Sequence, residues 1–417
     1  MYARVRAFLG ALVLSFVVPA RADAAPSPAG APAAKGQIRV GLLAATSGPF
    51  AGEGGDIVAG FRYFLATHGD RLGGFRVDLR TGDEGPTVDT ALAVAHQLVE
   101  QDAVDVIVGV ANSDAAYGIA DYIDDRKKPL VIAGAGADEL TQGKARKTLF
   151  RVQHTSSQDV MPLGNYACRK LHVRRVALVA ADYTYGWESA GGFARTFTDA
   201  GCRIVQEQYV APDGADFAAA VAKIDRSADG VFAAFSGQNA VKFVAAYRDG
   251  GLKVPLLGTT SLTDERFLNA ERESAVGIYT GAHYAATLPN PDNIAFRLGY
   301  QSLEAQPVSS YAENGYVAAQ ALADALSRVS GGPIKADAVL AELRRVQIDA
   351  PRGPVRFDDL QQAVNDVFVR RVRQLGGRWR NDVVTAFSGV SQFWKYDPKR
   401  YLAFPTYAKL KGTWARP

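Results

Sequence analysis

The sequence predicts an α/β protein made of two doubly wound parallel-sheet lobes. Short apolar runs, typical of buried parallel strands, alternate with helical patterns along most of the chain. The arrangement also repeats, because Gly60-Phe61 returns as Gly192-Phe193 and Gly73 returns as Gly201, at spacings of 132 and 128 residues. We therefore expect two units of one design in tandem.

The first unit alternates strands with helices. Its predicted strands lie at 38–44, 75–79, 104–108 and 130–133. The first helix carries Ile57, Phe61 and Phe64 at helical spacing, Pro86-Thr87 opens the second, and Pro129 stops the third. In such sheets ligands sit beyond the carboxyl ends of the strands, so the loops that follow these strands are the candidate binding segments.

The second unit follows the same plan. Its predicted elements are strands at 173–181, 231–235 and 254–257 and a helix at 240–249. The loop at 182–187 takes the place that the loop at 46–52 has in the first unit. A strand-like run at 276–284 is interpreted as a second crossing between the units.

The C-terminal third is less regular. It is predicted to contain a helix at 293–304, a long helix after 310, a turn plus strand at 351–357 and a strand at 366–372. Ser310 and Glu313 have the spacing of a capping box at the start of the long helix. The tail shows no periodic pattern, and no role is assigned to it.

Residues 1–25 are interpreted as a cleaved secretory signal peptide. Arg4 and Arg6 precede an apolar run too short to span a bilayer, and a small-x-small cleavage site follows. Residues 26–36, rich in Pro, Ala and Gly, are predicted to be a disordered linker. The remaining boundaries are 37–154 plus 284–358 for the first lobe, 155–283 plus 359–390 for the second, and 391–417 for the tail.

The sequence contains two cysteines, Cys168 and Cys202. Cys168 falls near the end of a predicted helix and Cys202 at the start of the strand after the next helix, so both belong at the amino-end edge of the sheet. The predicted export would bring them to an oxidising space. A disulfide and two separate buried thiols both remain open.

Several functional classes lack support. The sequence has no G-x-S-x-G elbow and no H-E-x-x-H motif, so an enzyme is not expected. The histidines, His68, His96, His154, His172 and His283, have no metal-ligand spacing, and neither a metal nor a cofactor is predicted. Of 47 basic residues, Arg4, Arg6 and Arg21 lie in the predicted signal peptide, which leaves a nearly neutral chain without a footprint for nucleic acid.

Binding chemistry is concentrated at the strand ends. Asn112 and Ser113, with free backbone amides where their loop enters a helix, can donate to an anion. Aromatic side chains lie near loops of both units and suit an apolar or planar ligand; they are Phe50, Tyr183, Tyr185, Trp187 and Tyr284. Ordinary packing beneath a loop is the alternative for each of these rings.

Several segments, in this order, resemble one family: the type I periplasmic solute-binding proteins of ABC importers, in the leucine/isoleucine/valine-binding branch. The matching segments are at 41–50, 98–109, 135–141, 182–186 and 351–357, the last reading PRGPVRF. The likeness covers roughly residues 37 to 385. It implies two lobes joined by a three-strand hinge, which close on a small solute and then present a surface to membrane permease subunits. It also implies a periplasmic, monomeric protein.

The resemblance also implies a binding site. The loops that match Asn112-Ser113, Ala135-Gly136, Tyr185, the segment 235–238 with Gln238, and Thr260 line the cleft in that family. Branched-chain amino-acid binders carry a hydroxyl residue at the position of Gly136 and a glutamate at that of Thr260, and both hold the ligand ammonium. Because a buried ammonium without a carboxylate is costly, an aromatic carboxylate is the favoured ligand.

In this interpretation the carboxylate lies on Asn112 and Ser113 and the ring lies against Phe50 and Tyr185. Two alternatives stay open: a branched-chain amino acid or amide bound by the same mechanism, and a ligand sensor of the same fold that signals to a receptor. Neighbouring genes for permease and ATPase subunits would separate the transporter from the sensor.

Overall fold

The structure, a computed structural model, describes residues 34–304 and 306–415. The predicted signal peptide and most of the predicted linker lie outside these residues. The first elements in chain order alternate strand and helix: β1 (Gln37–Ala44), α1 (Ala51–Thr67), β2 (Arg71–Leu72), β3 (Phe75–Asp83), α2 (Val88–His96), β4 (Val106–Gly109), α3 (Ser113–Asp125), β5 (Leu130–Ile132) and β6 (Leu149–Arg151).

The next elements repeat this alternation: α4 (Val160–Arg169), β7 (Arg175–Ala181), α5 (Thr184–Asp199), β8 (Arg203–Val210), α6 (Phe217–Ala222), β9 (Gly230–Ala234), α7 (Gly237–Asp249), β10 (Leu256–Gly258), α8 (Leu268–Glu271) and β11 (Tyr279–Ala282). The C-terminal part contains α9 (Pro291–Glu304), α10 (Ser310–Ser327), α11 (Ala336–Leu343), β12 (Gln347–Ala350), β13 (Gly353–Phe357), β14 (Ala363–Leu375), β15 (Arg378–Val390) and α12 (Pro398–Leu402).

The strands form two sheets, as the predicted fold class requires. The first has the order β2-β3-β1-β4-β5-β6, and β1 pairs in parallel with β3 and β4. The second has the order β12-β13-β14-β11-β10-β9-β7-β8, with β15 on β14. Its β7 to β11 part is parallel, while β12 to β15 pair antiparallel. The strands predicted at 351–357 and 366–372 correspond to β13 and part of β14, whereas β12 and β15 were not predicted.

The helices cover both faces of the parallel strands. On one face of the first sheet, α1, α10 and α11 pack over apolar residues of β1 and β4, and α2 and α3 cover the other face. Every residue of β4 is buried, which explains its continuous apolar sequence. Long-range packing therefore brings the C-terminal helices α10 and α11 onto the first sheet.

The repeated Gly-Phe pairs mark places where a helix lies very close to a neighbouring segment. A Cβ on Gly60 would lie 1.8 Å from the Ala312 carbonyl oxygen of α10, so α1 and α10 need a glycine there. A Cβ on Gly192 would lie 2.6 Å from Cβ of Ser157, just before α4. In both lobes the adjoining phenylalanine, Phe61 or Phe193, is fully buried. The repeated Gly-Phe pair therefore has the same role in both lobes, which is to allow close packing of a helix.

Two predictions, the disordered linker and the capping box of the long helix, need correction. Lys35, in the predicted disordered linker, donates to the carbonyl oxygens of Ser327 and Val329 at the end of α10, at 2.6 and 3.2 Å. A cation is favourable there because the last carbonyls of a helix lack partners. The cap of α10 is Ser309, whose side chain accepts from the Ala312 amide at 3.0 Å. Ser310 is not the cap, since Glu313 pairs with Arg352 instead of closing a capping box.

The tail also has a defined place. Phe393, Tyr401 and Tyr407 form a small core with Met161 of α4. Arg195 of α5 lies over the ring of Tyr401 at 4.4 Å from the ring centroid, which adds a cation–π contact. No described helix is both long and apolar enough to cross a bilayer.

Cys168 and Cys202 form a disulfide across 34 residues of sequence. This resolves the alternative that the sequence left open. Cys168 lies in α4 and Cys202 directly precedes β8, so the bond ties the edge strand of the second sheet to the helix beneath it.

Replacing both cysteines by alanine should lower the free energy of unfolding by about 3–4 kcal/mol, because the disulfide restricts a loop of this length in the unfolded chain. Urea unfolding of the oxidised wild type and the double variant Cys168→Ala, Cys202→Ala measures the difference. A reducing agent should destabilise the wild type and leave the double variant unchanged; equal stability of the two oxidised proteins would contradict the expectation.

Candidate functional site

Two neighbouring cavities lie where loops of the two sheets face each other. The outer cavity has a volume of about 550 Å³ and opens to solvent. The inner cavity has about 20 Å³, roughly the space of one water molecule. Phe50, Tyr183 and Ser236 line both. The inner cavity is completed by Ala111, Ser113, Gly134, Gly136, Gln153, His154, Tyr185 and Tyr311.

Most predicted site residues lie at these cavities. Phe50, Ser113, Gly136 and Tyr185 line the inner cavity. Asn112 and Gln238 line the outer one, and Gln238 is exposed. These loops therefore lie together at the two cavities, and residues from several separate segments contribute.

Three predicted site residues lie away from both cavities. Ala135 is buried in the core between β5 and the helices over it. Tyr284 is fully buried, and its hydroxyl donates to Oδ1 of Asn293 at 2.9 Å. The Thr260 hydroxyl lies 2.8 Å from Oδ2 of the buried Asp159. None of the three lines a cavity, because each side chain is used in internal packing or hydrogen bonding.

The start of α3 is not arranged as the predicted anion-binding site, which requires free backbone amides. The amides of Ala111 and Asn112 donate to the two carboxylate oxygens of Glu84, at 2.7 and 2.8 Å. Oδ1 of Asn112 accepts from the amides of Asp114 and Ala115 and so caps the helix. These backbone donors are therefore occupied by the protein's own side chains. Ser113, with 3% of its surface exposed, keeps its hydroxyl at the inner cavity.

Gly136 has a packing reason for being a glycine. A Cβ there would lie 2.8 Å from Oγ of Ser156. The Ser156 amide also donates to the Gly136 carbonyl at 2.7 Å, so the two segments are in close contact. A hydroxyl side chain at 136 would need this contact to open. The Ser156 hydroxyl is buried and has no hydrogen-bond partner among the described residues.

Aromatic rings from both lobes line the inner cavity. Phe50 and Tyr183 meet edge to face with centroids 6.3 Å apart, and Tyr183 lies 6.0 Å from Tyr185. The Tyr185 hydroxyl donates to Oγ1 of Thr259 at 2.7 Å. Burial raises the pKa of Tyr185 to about 12, so the phenol is neutral at physiological pH. The cavity wall therefore combines four such rings with the polar side chains of Ser113, Gln153, His154 and Ser236.

Direct contacts hold the two lobes together across the cleft. Oγ1 of Thr184 in α5 donates to Oδ1 of Asp114 in α3 at 2.7 Å. The Ser310 hydroxyl donates to Asp264 at 2.6 Å, and Arg266 pairs with Asp56 of α1. The structure is thus in a closed arrangement.

The sequence did not single out Gln153, His154 or Tyr311 as site residues, and it included Ser236 only within the segment 235–238. Tyr311 lies at the start of α10, far along the chain, and Gln153 and His154 lie on the segment that leaves the first sheet. Gln153 and His154 directly follow β6, so their position at a strand end is the one signal that could have indicated them. The other contributions depend on packing between distant segments.

Glu53 is a buried carboxylate at the edge of this region. It lies on α1, is 3% exposed, and its Oε1 has no hydrogen-bond partner among the described residues. Gly237 has a φ of +56°, and a Cβ on it would lie 2.9 Å from this oxygen, so α7 begins against the carboxylate. Burial raises the pKa of Glu53 to about 7.

Two α/β lobes that close over a cleft lined by loops define a solute-binding protein. A family model described as periplasmic binding protein matches residues 37–377, and the chain belongs to this family. Proteins of this kind are the solute-binding components of ABC transporters and work with membrane permease subunits; the family consists of binding proteins, not enzymes. The resemblance drawn from the sequence motifs is confirmed.

Individual proteins that are similar to this chain are also named as binding proteins. Leu/Ile/Val-binding protein homolog 6 of Brucella melitensis biotype 1 is 28% identical over 360 residues, covering 84% of this chain and 91% of that protein. An ABC transporter substrate-binding protein from Sphaerobacter thermophilus superposes with a TM-score of 0.81 at 29% identity, covering 85% and 99% of the two chains. A solute-binding protein from R. palustris in complex with 4-hydroxybenzoate gives 0.81 at 27% identity, covering 86% and 98%.

Glu53 should give stability a pH dependence of definite sign. Its pKa is about 7 in the folded protein, above the ordinary 4.5, so folding favours the protonated acid. As pH rises from about 4.5 to 7, Glu53 ionises in the unfolded chain but stays protonated in the folded protein. The free energy of unfolding should therefore fall, by an amount that approaches about 3 kcal/mol.

Urea unfolding of wild type and Glu53→Gln at pH 5, 6, 7 and 8 tests this expectation. Other buried acids, such as Glu271 with a pKa raised by burial to about 8, act in the same direction, so the difference between the two proteins is the informative quantity. The free energy of unfolding of Glu53→Gln, measured relative to that of wild type, should increase as pH rises. A constant difference would show that Glu53 does not titrate in this range.

Proposed function

We propose that the protein captures a small aromatic carboxylate between its lobes and delivers it to the permease of an ABC importer. The observation that carries the proposal is the inner cavity, whose wall combines Phe50, Tyr183, Tyr185 and Tyr311 with the Ser113 hydroxyl. None of the described residues lining it carries a carboxylate that could neutralise an ammonium. Such a wall suits a planar apolar ring with one polar end.

Two further points support an aromatic acid. Gly136 packs against Ser156, and Thr260 is bonded to Asp159, so the two positions that hold an ammonium in amino-acid binders offer no ligand group. The R. palustris protein in complex with 4-hydroxybenzoate has a similar fold and 27% identity. Because the inner cavity has about 20 Å³, the proposed cycle includes separation of the lobes before the acid enters.

In this proposal residues 1–25 direct export and are removed, and the mature protein acts in the periplasm as a monomer that binds no nucleic acid. Asn112 and Gln238 lie at the outer cavity and would contact the solute as it enters. The Ser113 hydroxyl and the ring of Tyr185 would hold its carboxylate and its ring once the lobes have closed around it, with the inner cavity wider than in the empty protein.

One observation favours an amino acid as second candidate. Glu53 is a buried carboxylate with an unpartnered oxygen close to the cleft, and a ligand ammonium would neutralise it. The relative from Brucella melitensis is named as a Leu/Ile/Val-binding protein homolog. The two candidates differ in the charge of the group that must be held.

Thermal unfolding of the mature protein with benzoate, 4-hydroxybenzoate, leucine or isoleucine separates the candidates. A true ligand at 100 times its dissociation constant stabilises by about 2.7 kcal/mol, which raises the unfolding midpoint by several degrees. We expect this rise with at least one aromatic acid and with neither amino acid. Stabilisation by leucine or isoleucine alone would replace the proposal by the second candidate.

Tyr185→Ala should weaken binding of the stabilising solute at least about tenfold, because it removes ring contact from the inner cavity. Tyr185→Phe keeps the ring and should lose less. Tyr166→Ala removes a half-buried ring of α4, away from both cavities, and serves as the matched control. Isothermal titration calorimetry measures all four proteins; equal affinity of wild type and Tyr185→Ala would remove Tyr185 from the proposed site.

A further inference from the structure

His154, Asp159 and His283 form a buried cluster below the inner cavity. Nε2 of His154 lies 3.2 Å from Oδ2 of Asp159, and Nδ1 of His283 lies 3.1 Å from the same oxygen. All three side chains are at most 5% exposed. The cluster joins two segments that cross between the lobes, and 124 residues of sequence separate Asp159 from His283.

The contact between His154 and Asp159 needs a positive partner. Nδ1 of His154 lies 2.7 Å from the Thr155 carbonyl oxygen, and only a protonated nitrogen can donate there. In a neutral ring Nε2 then presents a lone pair to the carboxylate. Two such acceptors at 3.2 Å repel each other unless a proton or a metal ion lies between them.

The cluster also has unused polar atoms. Oδ1 of Asp159 and Nε2 of His283 are buried and have no hydrogen-bond partner among the described residues. A buried unsatisfied group costs about 1–3 kcal/mol. The nearby cation does not relieve this cost, because Nε of Arg352 donates to Glu313 at 2.9 Å and its Nη1 donates to the Val152 carbonyl at 3.0 Å.

We propose that His154, Asp159 and His283 hold a divalent transition-metal ion of the zinc class, with one coordination position open to the inner cavity. Two imidazoles and one carboxylate are a common protein ligand set for zinc that keeps a fourth position free. The donor atoms lie within 4.8 Å of one another. The two distances to Asp159 approach the ~3.4 Å between neighbouring donors of a tetrahedral site with bonds of about 2.0–2.1 Å.

The surroundings suit such a site. The Thr260 hydroxyl and the His283 amide, at 2.8 and 3.1 Å from Oδ2 of Asp159, fix the carboxylate, and the Thr155 carbonyl fixes the His154 ring. Hydrogen bonds of this kind orient metal ligands in proteins. Thr260 is thus a positioning residue.

The role of the open position rests on the proposed function. His154 lines the inner cavity, so an ion on its Nε2 would lie at the floor of the space that the solute enters. That floor has no lysine or arginine among the described lining residues. The ion would supply the positive charge that a solute carboxylate requires.

Zinc titration of tag-free mature protein, stripped with a chelator and without solute, tests the site. Calorimetry should give one Zn²⁺ per chain. His154→Gln and Asp159→Asn should each weaken binding at least about tenfold, the lower limit for loss of an oriented ligand or its partner. His96→Gln, which alters an exposed histidine, is the matched control. If wild type binds no more tightly than Asp159→Asn, the metal site is wrong.

The open position is tested with Co²⁺ in place of Zn²⁺ and azide as the added anion. Azide should change the visible absorption of bound Co²⁺ in wild type, and unchanged bands at saturating azide would overturn the open position. Because neither titration uses an aromatic acid, each can succeed or fail independently of the proposed solute. Zinc binding without stabilisation by any aromatic acid would keep the metal site and reject the aromatic ligand.

Discussion

The buried side chain of Arg151 is the constraint on which the relation of the two lobes depends. Its Nε donates to Oε1 of Gln362 at 2.6 Å and its Nη1 to the Ala137 carbonyl at 2.6 Å. Nε2 of Gln362 continues to the Gln153 carbonyl at 2.7 Å. Because an unpartnered charge buried here would cost several kcal/mol, these bonds fix where two of the crossing segments run. The loops of the cleft are therefore positioned by buried polar side chains in the segments that join the lobes.

The alternation of the two units was predictable because it depends on local pattern. Strands buried on both faces are continuous apolar runs, and the Gly-Phe pairs indicate close packing of a helix on its neighbour at Gly60 and Gly192. The prediction failed where two neighbouring residues offer the same chemical group. Ser309 and Ser310 both offer a hydroxyl for the cap of α10, and pairing of Glu313 with Arg352 decides between them. That pairing depends on residues brought together only by folding.

The site was predictable only as a set of loops. Strand ends located Phe50, Ser113 and Tyr185, since the carboxyl edge of a parallel sheet collects its loops. No sequence pattern indicates that Glu84 accepts hydrogen bonds from the amides of Ala111 and Asn112, since the pairing joins separate strand ends. The same limit concealed the cluster of His154 and His283, because spacing rules for metal ligands describe ligands within one local segment.

The closing contacts between the lobes have an energetic consequence for solute capture. The bond from Thr184 to Asp114 joins protein to protein, so it stabilises closure whether or not a solute is present. Molecules closed in this way cannot admit a solute, and the measured dissociation constant is the intrinsic one divided by the competent fraction. Because the same contact also stabilises the closed, solute-bound protein, it costs no net affinity, but it shortens the time that the empty protein spends open. Selection on this protein would act on that open fraction as well as on the residues that touch the solute.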